Sequence, residues 1–236
     1  HNGLWAVDLA NDTATRLGQS QDDFMGYSAV PDSPGTAFAS GHPATGGNLG
    51  IIRTEDAGQT WAHVSDGLDG PVDFHTMEVS RADPAVIYGI GHDGRVQRSA
   101  DGGRTWEASG QAPEKLIDIA TSPEDAAALF AATETGLFLS PDQGMSWTAV
   151  IEGVPVSTVD AGADGVVRAV DLGQGLVTIG AGGETTLISG NLPDGYLLYL
   201  TPTSGDPLRL VALSAKGRLV VSDNAGITWT DVLMGK

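Results

Sequence analysis

The sequence predicts an all-β fold, a β-propeller of four-stranded antiparallel blades, and three observations point there. The first is an eight-residue motif, Ser/Thr-x-Asp-x-Gly-x-Thr-Trp, at Thr54–Trp61 and Ser99–Trp106; it returns as Ser140–Trp147 with Ser for Thr and as Ser222–Trp229 with Asn for Asp. A worn copy at 179–186 keeps Gly183 and Thr185 but has neither the Asp nor the Trp. The second is spacing. The motif glycines Gly58, Gly103, Gly144, Gly183 and Gly226 are 45, 41, 39 and 43 residues apart, the length of one four-stranded blade. The third is composition: 33 glycines and only 18% charged residues in 236 suit many short strands joined by tight turns.

The motif reads as a hairpin turn. Asp56, Asp101, Asp142 and, in the last copy, Asn224 place a side-chain oxygen where it accepts hydrogen bonds from the amides of their own turn. Each glycine supplies positive φ. The tryptophans Trp61, Trp106, Trp147 and Trp229 bury apolar surface in the blade. These residues are a folding device, and their carboxylates are accounted for by turn capping.

Between motifs the strands follow in a fixed order. In the clearest repeat, residues 74–79 form the innermost strand A and 86–90 strand B. Residues 95–98 form strand C, and strand D starts at Trp106 after the turn. The same order starts again at Phe24, Leu116, Val156 and Leu197. Period-two alternation is loose, as expected of strands covered on both faces. No helix and no linker is expected. The blades fall at 19–65, 66–110, 111–152, 153–191 and 192–236, all within one propeller domain, 1–236. Residues 1–18 supply a partial first blade, with 3–8 as strand C and 13–17 as strand D. The expectation is therefore a six-bladed propeller whose missing N-terminal strands come from upstream residues or from another chain.

The net charge is −18, from 12 basic and 30 acidic residues. Such a chain lacks the basic surface that nucleic-acid binding needs, and anionic membrane surfaces are disfavoured for the same reason. With no cysteine, disulfides and thiolate metal sites are excluded. No apolar run is long enough to insert in a membrane. The start at His1-Asn2-Gly3-Leu4 is that expected of a chain whose leader has been removed or trimmed.

The motif identifies the chain as resembling the Asp-box (BNR-repeat) propellers, a superfamily that contains sialidases, sortilin-type receptors and a photosystem II assembly factor. A closer resemblance is to small bacterial secreted or envelope propellers labelled glycosyl hydrolase or sialidase-like. It is carried by Asp22-Asp23-Phe24-Met25-Gly26-Tyr27, Ser40-Gly41-His42-Pro43 and Asp73-Phe74-His75-Thr76-Met77. The resemblance implies a secreted or cell-envelope location. The box motif specifies fold and says little about activity.

A sialidase would need three converging arginines, a Tyr–Glu pair, an Asp acid and an Arg-Ile-Pro signature. The chain has no Arg-Ile-Pro, and its nine arginines assemble no triad. A generic glycosidase needs only two carboxylates about 5–10 Å apart. The candidates are Asp22, Asp23 and Asp73, which lead into strand A; as turn residues they would instead cap exposed amides.

The histidines suggest a ligand face. With the blades aligned on their motifs, His1, His42 and His92 fall in the turn between strands B and C, with Glu134 in the same place one blade on. His75 and Met25 coincide at the start of strand A. Both places lie on one face of an up-and-down blade, opposite the motif turns. His42, His75, His92 and Met25 are therefore the candidate ligand-binding residues. The three histidines, with a carboxylate or thioether, are candidate ligands for Cu or Zn. Residues 43–49 lengthen the connection beside His42, and a long loop on a rigid scaffold often carries function. The function expected is a non-catalytic propeller that binds a protein, a glycan or a metal on this face; the alternative is a glycoside hydrolase.

Overall fold

The computed structural model describes residues 3–180, 182–203 and 209–232. They fall into two compact units, 1–112 with 143–145, and 113–142 with 146–236. His1 lies outside the described residues.

The first unit begins with a two-stranded sheet, β1 (Leu4–Asp8) and β2 (Thr13–Leu17), paired antiparallel. Two four-stranded blades follow. One holds β3 (Asp23–Ala29), β4 (Ala37–His42), β5 (Ile51–Thr54) and β6 (Ala62–Ser65). The next holds β7 (Thr76–Val79), β8 (Ile87–Ile90), β9 (Arg95–Ser99) and β10 (Glu107–Gln111). The second unit has three blades of the same plan. They comprise β11 (Leu116–Thr121), β12 (Leu129–Thr133), β13 (Gly136–Ser140) and β14 (Thr148–Glu152); β15 (Val156–Ala161), β16 (Val167–Asp171), β17 (Gly175–Ile179) and β18 (Thr185–Ser189); and β19 (Leu197–Pro202), β20 (Leu210–Ser214), β21 (Leu219–Ser222) and β22 (Thr230–Asp231). In each blade every strand pairs antiparallel with the next in sequence, so the chain builds the up-and-down blades of a β-propeller.

Burial explains why the alternation is loose. The second strands β8, β12 and β16 are buried at every residue, because a blade is covered on both faces there. The fourth strands β6, β10 and β18 are largely exposed. Core clusters join neighbouring blades within each unit. In the first, Phe38 and Ile51 pack with Phe74, Met77, Val79 and Ile87. In the second, Ala120, Phe130 and Leu137 pack with Val156, Val159 and Val177, and Val170 and Leu176 pack with Leu197, Leu200 and Leu210.

Three details differ from the sequence expectations. Strand A of the 66–110 blade starts at Thr76, not Phe74, because the amide of Phe74 donates to the Ser40 hydroxyl and not into the ladder with β8. Strand D starts at Glu107 because the Trp106 ring N–H closes its own turn on the Gly103 carbonyl at 2.9 Å. Among the described residues, one short 3₁₀ turn, Pro193–Gly195, interrupts an otherwise helix-free pattern.

The motif turns share one hydrogen-bond scheme. The Ser99 hydroxyl accepts from the Gly103 amide and donates to Asp101 Oδ1. That carboxylate accepts from the Thr105 amide at 2.9 Å and from its hydroxyl at 2.7 Å. The Asp56 turn repeats these bonds, and Asp142 accepts likewise from the amide and hydroxyl of Ser146. The turn glycines Gly58, Gly103, Gly144 and Gly226 all have positive φ. In the last copy Asn224 Oδ1 accepts from the Thr228 amide, while its Nδ2 donates to the Thr228 hydroxyl. The turn's donors hold Asp101 down at about 2, led by the Thr105 amide. Its contribution is therefore present above the ordinary value of 3.8 and fades as the pH falls toward 2. Asp101→Ala is expected to lower the melting temperature at pH 7 by about 2–4 °C, as loss of a capping side chain does. Asp101→Asn should lose less, because Asn224 already closes such a turn. Thermal denaturation of both variants checks the order.

Candidate functional site

The face with the B–C turns carries a histidine–carboxylate cluster in the first unit. It is built by stitching residues 71–75, which lead into β7, onto β4 and the loop after it. The buried Ser40 hydroxyl donates to the Val72 carbonyl and accepts from the Phe74 amide, clasping Asp73 from both sides. The Gly50 amide donates to the Val72 carbonyl, and Asn48 Nδ2 donates to that of Pro71. Behind Asp73 the Phe74 ring is fully buried.

This scaffold brings Asp73 Oδ2 to 2.9 Å from His42 Nε2 and 3.0 Å from His75 Nε2. The Asp73 side chain is 8% exposed, and its Oδ1 is buried with no hydrogen-bond partner. Both imidazoles remain partly open to solvent. His42 Nδ1 donates to the Gly47 carbonyl at 3.1 Å, a bond that only a ring protonated at Nδ1 makes. The loop carrying Gly47 is pinned in turn. The Ala44 amide donates to Asp22 Oδ1, and the Leu49 amide to the Gly41 carbonyl.

Among the described residues, the group of His, Asp and Glu side chains spaced to share one ion is His42, Asp73 and His75. His92 is not in it: exposed in the turn before β9, it meets the His75 ring at a tilt of 52° with ring centroids 3.7 Å apart. Met25 is exposed on β3. Asp22 is a turn residue, since its Oδ2 also accepts from the Ser20 hydroxyl. Asp23 opens β3 opposite His42 in the ladder. Glu134 pairs with Lys115, and His63 with Asp66.

Beside the cluster lies an open cleft of about 410 Å³, lined by His42, Asn48, Asp69, Asp73, His92 and Arg95 among others. Its carboxylates are each engaged by a basic side chain. Arg95 spans Asp69 at 2.7 Å and Asp93 at 3.3 Å, and Gln97 Oε1 accepts from the Leu68 amide. A second cleft, of about 340 Å³ in the other unit, includes Leu192, Trp229 and an Arg218 held by Asp194 and Asp231. Among the described residues, the carboxyl whose pKa is pushed up is Asp118, to about 6, because its carboxyl is withdrawn from water. It belongs to β11 and lines neither cleft.

Of the residues named from sequence, the structure brings together His42, His75 and Asp73, the last named there as a candidate catalytic carboxylate; the parts played by Ser40 and the Gly47 carbonyl were not foreseen. Ser40 resembles any small strand residue, and a backbone carbonyl has no sequence signature.

No protein-family model matches the chain, and no curated protein matches it. Solved structures do. The GH74 xyloglucanase of Xanthomonas campestris is 17% identical with a TM-score of 0.64, over 99% of this chain and 42% of that one. The Niastella koreensis GH74 enzyme is 14% identical with a TM-score of 0.64, over 98% and 42%. YCF48 bound to D1 peptide is 17% identical with a TM-score of 0.59, over 94% and 71%. The chain thus spans less than half of either GH74 enzyme, and at these identities the likeness shows one thing, that the chain has a β-propeller fold.

Proposed function

We propose that the chain is a non-catalytic binding propeller of the Asp-box kind, secreted or held in the cell envelope, whose ligand site is the cleft and histidine face of the first unit. One observation carries this reading: every carboxylate that lines the cleft is already occupied. Asp69 and Asp93 are held by Arg95, and Asp73 by two imidazoles. A glycosidase needs one carboxyl kept protonated and a second free to act as base or nucleophile across the bond. The raised carboxyl, Asp118, is enclosed in the other unit by the Ile119 amide and by Thr158 and Val159 of β15. A site whose side chains are held by mutual contacts suits recognition, because little freedom remains to be lost on binding. YCF48, which is bound to a peptide, shares the fold and supports a polypeptide as one class of partner.

The GH74 likeness defines the rival reading. The purified chain, incubated with xyloglucan and with a sialylated glycan, is expected to release no reducing sugar or free sialic acid. Release that Asp73→Asn or Asp22→Asn abolishes would make the chain a hydrolase and end the binding reading.

A further inference from the structure

The His42–Asp73–His75 cluster poses a problem of valence. A neutral imidazole carries one ring proton. His42 commits that proton, on Nδ1, to the Gly47 carbonyl. With no second ring proton, its Nε2 points a lone pair at a carboxylate oxygen 2.9 Å away. Two acceptors at that distance repel unless something positive lies between them. The same carboxylate has its other oxygen buried without a donor, an arrangement that costs free energy unless the charge is compensated.

We infer that His42 Nε2, His75 Nε2 and the Asp73 carboxylate hold a late first-row divalent metal ion, with Zn²⁺ or Cu²⁺ the best fit. The inference rests on the reading of this face as the ligand site and names the ligand. The donor atoms all lie within 4.8 Å of one another, with both imidazole nitrogens within 3.0 Å of Asp73 Oδ2, and a small rotation of the partly exposed imidazoles lets one ion reach all three at bond lengths of about 2 Å. Two imidazoles and one carboxylate select late transition metals over Mg²⁺ and Ca²⁺, which prefer all-oxygen sites. The bond from Nδ1 to a backbone carbonyl is the outer contact that usually fixes a metal-binding histidine in its tautomer. Asp22, through the Ala44 amide, holds the loop that presents that carbonyl, which makes it a positioning residue. Three protein ligands on a solvent-facing site leave a coordination position for a donor atom from a partner.

The test is titration of the chelator-treated chain with Zn²⁺ and with Cu²⁺ by calorimetry, with near-ultraviolet circular dichroism to confirm the fold of each variant. Wild type is expected to take up one equivalent. His42→Gln and His75→Gln should each weaken binding at least about tenfold, and the pair should abolish it. His63→Ala, which removes a histidine paired with Asp66 elsewhere, should change nothing. The Cu²⁺ form should show hyperfine coupling to two imidazole nitrogens in its electron paramagnetic resonance spectrum, a signature that a merely structural role would not give. No saturable uptake by wild type, or equal uptake by the folded double variant, overturns the inference. In that case a second proton on His42 fills the gap, and the binding reading stands or falls on the hydrolysis assay alone.

Discussion

Phe74→Ala is expected to remove about 3–5 kcal/mol of stability, the usual cost of deleting a fully buried aromatic ring. Phe74 joins the two blades of the first unit. Its ring lies over Gly89, where even a Cβ would stand 2.2 Å from ring carbon Cδ2. It also packs on Trp106 at a centroid distance of 5.2 Å and belongs to the cluster with Phe38, Ile51 and Met77. Gly89, beneath the ring, offers no side chain to refill the cavity. The effect should reach the site, since Phe74 lies between Asp73 and His75 and its amide is held by Ser40. Urea denaturation followed by tryptophan fluorescence measures the loss. Phe74→Leu, which refills part of the volume, should lose distinctly less.

Asp118 gives the second large effect. Its carboxyl accepts from the Ile119 amide, the Thr158 hydroxyl and the Val159 amide. Those bonds favour the charged form, but withdrawal from water outweighs them and lifts its pKa from 3.8 to about 6. A carboxyl with a raised folded pKa binds its proton more tightly in the native state. Its contribution is fully present below the unfolded value of 3.8 and is lost as the pH rises through about 6. The window from pH 4 to pH 6 should therefore show a fall of at most about 3 kcal/mol from this group. The motif carboxylates Asp56, Asp101 and Asp142, whose pKa values are lowered, act in the opposite sense and below that window. Chemical denaturation across pH 4–6 should show the slope in wild type and a flatter line in Asp118→Asn.

The blades were legible because their signal is local. A motif turn is closed by bonds between residues two to four apart, as from Ser99 to Gly103 and from Asp101 to Thr105, so the sequence displays the whole device. The histidine face was legible from the repeat, which places equivalent residues on one edge of each blade. The membership of the cluster was not. Which histidine joins His75 around Asp73 depends on how residues 71–75 are tied to β4, and those ties link residues such as Ser40 and Val72, 32 apart in sequence. Asp73 was visible as a carboxylate leading into strand A, but its role between two imidazoles follows from that stitching. Asp118 looked like any strand aspartate, since its enclosure comes from the neighbouring strand β15.

The central claim is the proposal that His42, Asp73 and His75 of the first unit form a metal site centred on the Asp73 carboxylate. It is tested most directly by anomalous diffraction from crystals of the chain equilibrated with Zn²⁺, recorded on both sides of the zinc edge. The account predicts one strong peak about 2 Å from His42 Nε2, His75 Nε2 and an Asp73 oxygen, with His92 outside the coordination sphere. An empty cluster at saturating Zn²⁺, with His42 Nε2 still in direct contact with Asp73, would contradict it.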